Sequence, residues 1–206
     1  MERNLKLSNI GFIKKYSSRQ VNSLYFDSEN YSSLEESISG SSIRRKTRLR
    51  WYGKIQEASF PTLERKYKQG VSSWKNLRNT NLQLKSDFQN WFDAFDSGNL
   101  SLSNILNDDH CIPVSLVSYR RQYYESLDGR IRVTLDYDLT YMDQTKSSRP
   151  NFEYTRQNPE KLVLEIKLAQ EDLSLLDDFT YNISFQPQRF SKYCESIVNH
   201  RSRWGP

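Results

Sequence analysis

From Lys161 to Leu168 the chain alternates without a break. Leu162, Leu164, Ile166 and Leu168 take one parity; Lys161, Val163, Glu165 and Lys167 take the other. Successive side chains of a β-strand point to opposite faces, so the spacing predicts a strand with one apolar and one charged face. KTRLRWYG repeats the pattern: Lys46, Arg48 and Arg50 on one side, Thr47, Leu49 and Trp51 on the other. In TLERKYK, Glu64, Lys66 and Lys68 share a face. A chain built this way folds around a mainly antiparallel sheet.

The stretch 113–141 sharpens this. Two β-rich runs flank Asp128-Gly129, which reads as a two-residue hairpin turn pairing Leu127 with Arg130. Counting back from it, Arg121 faces Asp136 and Glu125 faces Arg132. Arg121, Glu125, Arg132, Thr134 and Asp136 then share the polar face. Ile131, Val133, Leu135, Tyr137 and Leu139 share the apolar one. Further strands are predicted at 19–27, 44–53, 60–69 and 71–77. Tyr31, Leu34 and Ile38 recur at helical spacing between Ser28 and Gly40, and Leu84, Phe88, Trp91, Phe92 and Phe95 form the stripe of an amphipathic helix. A shorter helix is expected near 100–106, a loop over 146–160 and a helical tail from about Gln188. The predicted class is α+β.

Charge narrows the function. The chain has 30 Lys and Arg against 25 Asp and Glu, a formal net charge of +5, which favours an acidic partner. Only 36% of residues are hydrophobic, yet there are 13 Tyr, 10 Phe and 4 Trp, too many aromatics for a disordered chain. Cys111 and Cys194 read as reduced thiols; His110 and His200 have no partners at zinc spacing. No apolar run is long enough to span a membrane, and no phosphate-loop motif is present. A cytoplasmic location is the expectation.

In-line cations repel one another unless an anion or internal carboxylates offset them. If the sheet closes into a barrel, its polar faces point inward, and a triphosphate supplies the missing negative charge. An ordinary wet sheet face alternates in the same way, so spacing alone leaves both readings open. Glu165 on such a face pairs with Lys167 or an Arg, or holds a divalent cation against phosphate.

The ordered set YFD, RLRWYG, LERK, GRIRVTLD, VLEIKL and RFSKY over about residues 19–195 resembles the catalytic domain of the vacuolar transporter chaperone (VTC) family of polyphosphate polymerases. That family belongs to the triphosphate tunnel metalloenzymes, the CYTH-like group. The resemblance implies an antiparallel β-barrel forming a tunnel, with helices packed on the outside. It implies ATP and inorganic polyphosphate as partners rather than nucleic acid, and Mn²⁺ or Mg²⁺ as cofactor. By motif, Arg48, Arg50, Lys66, Arg121, Arg132 and Lys192 become catalytic phosphate ligands. Lys75 and Ser191 become substrate-binding, and Glu165 the metal ligand. The reaction implied is transfer of the terminal phosphate of ATP to a growing chain. Triphosphate hydrolysis in the same tunnel, or binding of polyanions without turnover, are the alternatives. Family members begin with a strand bearing a Glu-x-Lys-type motif and a helix. MERNLKLSNIGFIKKYSSRQ has no room for both. A single domain over 1–206, short at its N-terminus and with two open barrel edges, is therefore expected.

Overall fold

A computed structural model describes residues 5, 10–84, 91, 95, 111–146, 148–153, 155–158, 160–176 and 188–201. Among them, ten strands run in chain order: β1 Phe12–Asp27, β2 Ile43–Tyr52, β3 Ala58–Ser59, β4 Thr62–Gln69, β5 Ser72–Asn79, β6 Gln83–Leu84, β7 Ile112–Ser126, β8 Arg132–Asp143, β9 Thr155–Asn158 and β10 Val163–Lys167. Helix α1 spans Ser32–Ile38 and α2 spans Lys192–Arg201. Eight strands form one curled antiparallel half-barrel in the order β10-β8-β7-β1-β2-β4-β5, with β9 also on β8; β3 and β6 pair separately. Among the described residues, β5 and β10 each keep one unpaired edge.

Parity places the residues as expected over most of the sheet. Arg121 stands opposite Asp136 and Glu125 opposite Arg132. The turn differs. Leu127 and Arg130 do not pair; the last ladder bond runs from the Ser126 amide to the Ile131 carbonyl, leaving a four-residue loop. Asp128 accepts from the Ser126 hydroxyl and the Arg130 amide, which fixes this wider turn. Gly129 takes φ +75°, the left-handed region that glycine enters at little cost.

The apolar face carries two cores. Leu24, Phe26, Leu49, Leu63, Leu116 and Met142 pack with Trp91 and Phe95. Both aromatics belong to the predicted amphipathic helix and are helical; the rest of that stripe beyond Leu84, and the helix expected near 100–106, lie outside the described residues. Tyr124, Ile131, Val133 and Leu135 form the other core, with Leu164, Ile166 and Leu168 of the most regular strand against them.

Three features depart from sequence expectation. A bulge between Ser118 and Arg120, with Asp138 at φ 53°, adds one residue to β8. An extra residue reverses parity beyond it. Leu139 therefore leaves the apolar face and joins Val21, Tyr25, Val117, Tyr119 and Tyr141 on the polar one. The tail helix α2 covers this end of the polar face, with Tyr193 and Ile197 buried there beside Leu34 of α1. It thus lies inside the curl and not on the outer surface. The segment 146–160, a loop by composition, contains β9.

The YFD aspartate ties these pieces together. Asp27 is fully buried at the end of β1. Its carboxylate accepts the backbone amides of Ser28, Ser33 and Leu34 at 2.8, 2.9 and 3.1 Å, capping the first turn of α1. It also accepts the Tyr193 hydroxyl of α2. One side chain thus joins a strand, a capped helix and the tail.

A basic site on the inner face

The polar face is the inside of the curl: side chains of β2 and β7 meet across β1, as Arg50 Nη2 lies 3.5 Å from the Tyr119 hydroxyl. Two clusters of charge flank that contact. In the first, Glu64 of β4 is 6% exposed and sits opposite Arg48 in register. Arg48 donates to its Oε2 from Nε at 2.7 Å and from Nη2 at 2.5 Å. Lys75 Nζ reaches the same oxygen at 3.2 Å, and Arg50 Nη1 lies 3.6 Å from Oε1. In the second, Asp136 of β8 has no exposed surface. Arg121 forks onto it at 2.6 and 2.8 Å, and Lys192 from α2 adds a contact at 2.6 Å.

Tyr119 joins the clusters. The Arg121 guanidinium lies 5.3 Å from its ring centroid and the Lys192 ammonium 4.8 Å, within cation–π range. Burial pushes its phenol up to about 12, so it stays a neutral donor and acceptor. Tyr25 receives Arg48 Nη1 at 3.1 Å. Burial pushes the Tyr25 phenol up, but Arg48 and Arg50 outweigh it and leave the group below its ordinary value. Burial likewise disfavours the charged form of Glu64, and Arg48 and Arg50 more than offset this, holding the carboxyl below 4.5.

The sign of the Glu64 shift sets a pH dependence. A carboxyl whose folded value lies below its unfolded value stabilises the fold above the ordinary carboxylate range. That contribution disappears as pH falls through the folded value. Glu64→Gln is therefore expected to lower stability against urea at pH 7, with the difference from the unsubstituted protein shrinking by pH 3. A difference independent of pH would contradict the ion-pair account.

Among the sequence-predicted residues, Arg48, Arg50, Lys75, Arg121 and Lys192 come together here. Ser191 sits at the start of α2, its hydroxyl accepting Lys46 Nζ at 2.9 Å, so the first cation of KTRLR anchors the tail. Lys66 has the inner parity, in register with Lys46 and Lys75, but its side chain is exposed. Arg132 is also exposed, in register with Glu125 and Lys167. Glu165 is 43% exposed, 3.2 Å from Lys167 Nζ and 3.8 Å from Arg121 Nη2. Burial raises its carboxyl, but Lys167 and then Arg121 bring it below its ordinary value.

Sequence reasoning assigned no site role to Glu64, Asp136, Tyr25 or Tyr119. Parity marked both carboxylates as inner-face residues, which was the available signal. Among the described residues no three His, Cys, Asp or Glu side chains gather as a metal cage. Glu64 and Asp136 are buried against cations; Glu165, flanked by Lys167 and Arg121, is the more exposed of the three. This set fits a divalent ion held jointly by Glu165 and phosphate oxygens, a common mode for Mg²⁺, and does not fit an all-protein site.

Fold and site together define an antiparallel half-barrel protein with a basic inner face. The chain matches the VTC domain family over residues 2–199, and it belongs to that family. Among curated proteins, none shows significant sequence similarity to it. Similar solved structures include a Pyrococcus horikoshii protein at TM-score 0.49 and 12% identity, covering 97% of this chain and 93% of that one. An adenylate cyclase candidate from Vibrio parahaemolyticus gives 0.48 and 12%, over 95% and 89%. An adenylyl cyclase candidate from Hippeastrum, described as having a dominant triphosphatase activity, gives 0.47 and 12%, over 90% and 85%. Among the described residues no helix is long and apolar enough to cross a membrane.

Proposed function

We propose that the chain is a polyphosphate polymerase-type phosphotransferase acting on ATP along its inner face. The observation that carries this is the convergence of Arg48, Arg50, Lys75, Arg121 and Lys192 on two buried carboxylates, a net excess of fixed positive charge. Membership of the VTC domain family supports the same reading. Arg50 is the cation least committed to an internal partner: its Nε has no hydrogen-bond partner, and its contacts to Glu64 and Tyr119 are long. Arg48 and Arg121 are held in fixed forks, which preorganises them for the equatorial oxygens of a transferring phosphoryl group.

In the proposed reaction a terminal oxygen of polyphosphate attacks the γ-phosphorus of ATP. The new P–O bond forms as the β–γ bridging P–O bond breaks, and ADP leaves with those electrons. Positioning and charge neutralisation by Arg48, Arg50, Arg121 and Lys192 supply the catalysis. A divalent ion at Glu165 would supply further neutralisation of the phosphates.

One observation favours a second reading. Lys75 is 42% exposed and every residue of β5 is exposed, so water reaches this wall of the site. Water attacking in place of polyphosphate gives a triphosphate hydrolase. Incubation with ATP and Mn²⁺ followed by gel electrophoresis separates the two. Long phosphate chains are the expected product; ADP and orthophosphate alone would replace the polymerase reading with the hydrolase one.

A further inference from the structure

Beside the cation clusters lies an aromatic patch that binding to phosphate does not use. Tyr52 ends β2 two residues after Arg50, on the same face, and is 54% exposed. Tyr123 follows Arg121 on β7 at the same spacing and stands in register with Tyr16, itself 49% exposed. Two residues along a strand span about 7 Å, so each tyrosine stands one inner-face position beyond a phosphate-facing arginine. Tyr16 and Tyr123 meet edge to face with centroids 5.7 Å apart. The Arg19 guanidinium covers both rings, at 5.0 and 5.8 Å, and lies in register beside Arg121. Tyr52 pairs with Val21, which lies two residues from Arg19 on the same face of β1, so register puts Tyr52 diagonally beside Arg19 and in the same group.

Exposed tyrosines carry apolar rings into water, and a cluster of them at the rim of a polar site calls for a flat partner. Inorganic polyphosphate has no group that benefits from aromatic faces. A nucleobase does: it stacks on Tyr and on the plane of Arg regardless of its identity. The spacing also suits a nucleotide, with the base on one inner-face position and its phosphates on the next.

We infer that Tyr52, Tyr123, Tyr16 and Arg19 form a shelf that stacks the base of a nucleoside triphosphate whose phosphates lie on Arg50 and Arg121. This rests on the reading of the inner face as a triphosphate site and adds that the site prefers a nucleotide over an inorganic chain at its entry. Stacking involves no base-edge hydrogen bond here, so the shelf accepts purines and pyrimidines, with the larger purines favoured.

The test compares ATP with inorganic tripolyphosphate by calorimetry, on the full chain and on Tyr52→Ala and Tyr52→Trp. Tyr52 is exposed at a strand end, so neither change threatens folding. Loss of one stacked base is expected to weaken ATP binding roughly 5- to 100-fold in Tyr52→Ala, while tripolyphosphate binding stays the same. Tyr52→Trp is expected to match or exceed the unsubstituted affinity for ATP. Equal loss for both ligands, or no loss for ATP, would overturn the shelf and leave the phosphate site standing. Failure of the unsubstituted chain to bind either ligand would overturn the phosphate site itself, and the shelf with it.

Discussion

Arg50→Ala is expected to weaken tripolyphosphate binding by roughly 10- to 100-fold, the worth of one charge-assisted hydrogen-bonded contact. The structure makes this the most informative cation to remove. Arg48 is fixed to Glu64, and Arg121 to Asp136, so deleting either would strip a buried carboxylate of its main partner. Arg50 touches Glu64 only at 3.6 Å, and Glu64 keeps Arg48 and Lys75 without it. Binding should therefore fall while urea stability changes little. Arg50→Lys should restore part of the affinity, because it returns the charge but not the two-pronged donor. Calorimetric titration of each variant checks both expectations. Unchanged affinity in a folded Arg50→Ala protein would remove β2 from the site.

The second large effect concerns stability. Asp27→Ala is expected to cost roughly 2–4 kcal/mol, combining a lost helix cap with a buried tyrosine hydroxyl left unpaired. Tyr193→Phe removes only the bond to the tail helix and should cost about 1 kcal/mol. Urea unfolding should show a lower midpoint at unchanged slope for both. A change in Asp27→Ala within about 0.5 kcal/mol, as for an exposed surface residue, would mean that the latch between α1 and α2 contributes nothing. Loss of the latch should also disturb Lys192 and Ser191, since both lie at the start of the helix that Tyr193 anchors. On the proposed reading of the site, Asp27→Ala is thus expected to weaken tripolyphosphate binding as well as stability.

Much of this arrangement was legible in the residues. Period-two alternation placed Arg48, Arg50, Glu64, Arg121, Asp136 and Glu165 on one side of the sheet. The Asp128-Gly129 signal gave the register that sets Arg121 against Asp136, even though the turn is two residues longer than predicted. The register survives because lengthening the loop by one residue on each side leaves the pairing of the strands unchanged.

Parity fails where the chain departs from regular pleating. Nothing in the composition around Asp138 marks the bulge that moves Leu139 to the inner face. Parity also says which side a residue takes, not how open that position is to solvent. Lys66 and Arg132 have the right side and yet are exposed, whereas Arg50 is nearly buried. Openness follows from curl and from what covers each strand, and both are long-range. The same limit hid the roles of Glu64 and Asp136. A carboxylate in a row of cations reads equally as a salt bridge partner or a metal ligand until the distances separate them.

These distances imply a site whose cations are already positioned before substrate arrives. Glu64 and Asp136 act as fixed counterions that hold Arg48, Lys75, Arg121 and Lys192 in place. In the proposed reaction, phosphate then adds to an ordered frame, with little reorganisation at the moment of transfer. The measurement closest to this claim is a crystal structure of the chain with bound tripolyphosphate. The account predicts phosphate oxygens between Arg50 and Arg121, within hydrogen-bond distance of the Arg50 guanidinium, with the Glu64 and Asp136 contacts retained. Tripolyphosphate seated instead on the exposed Lys66 or Arg132, away from Arg50, would contradict it.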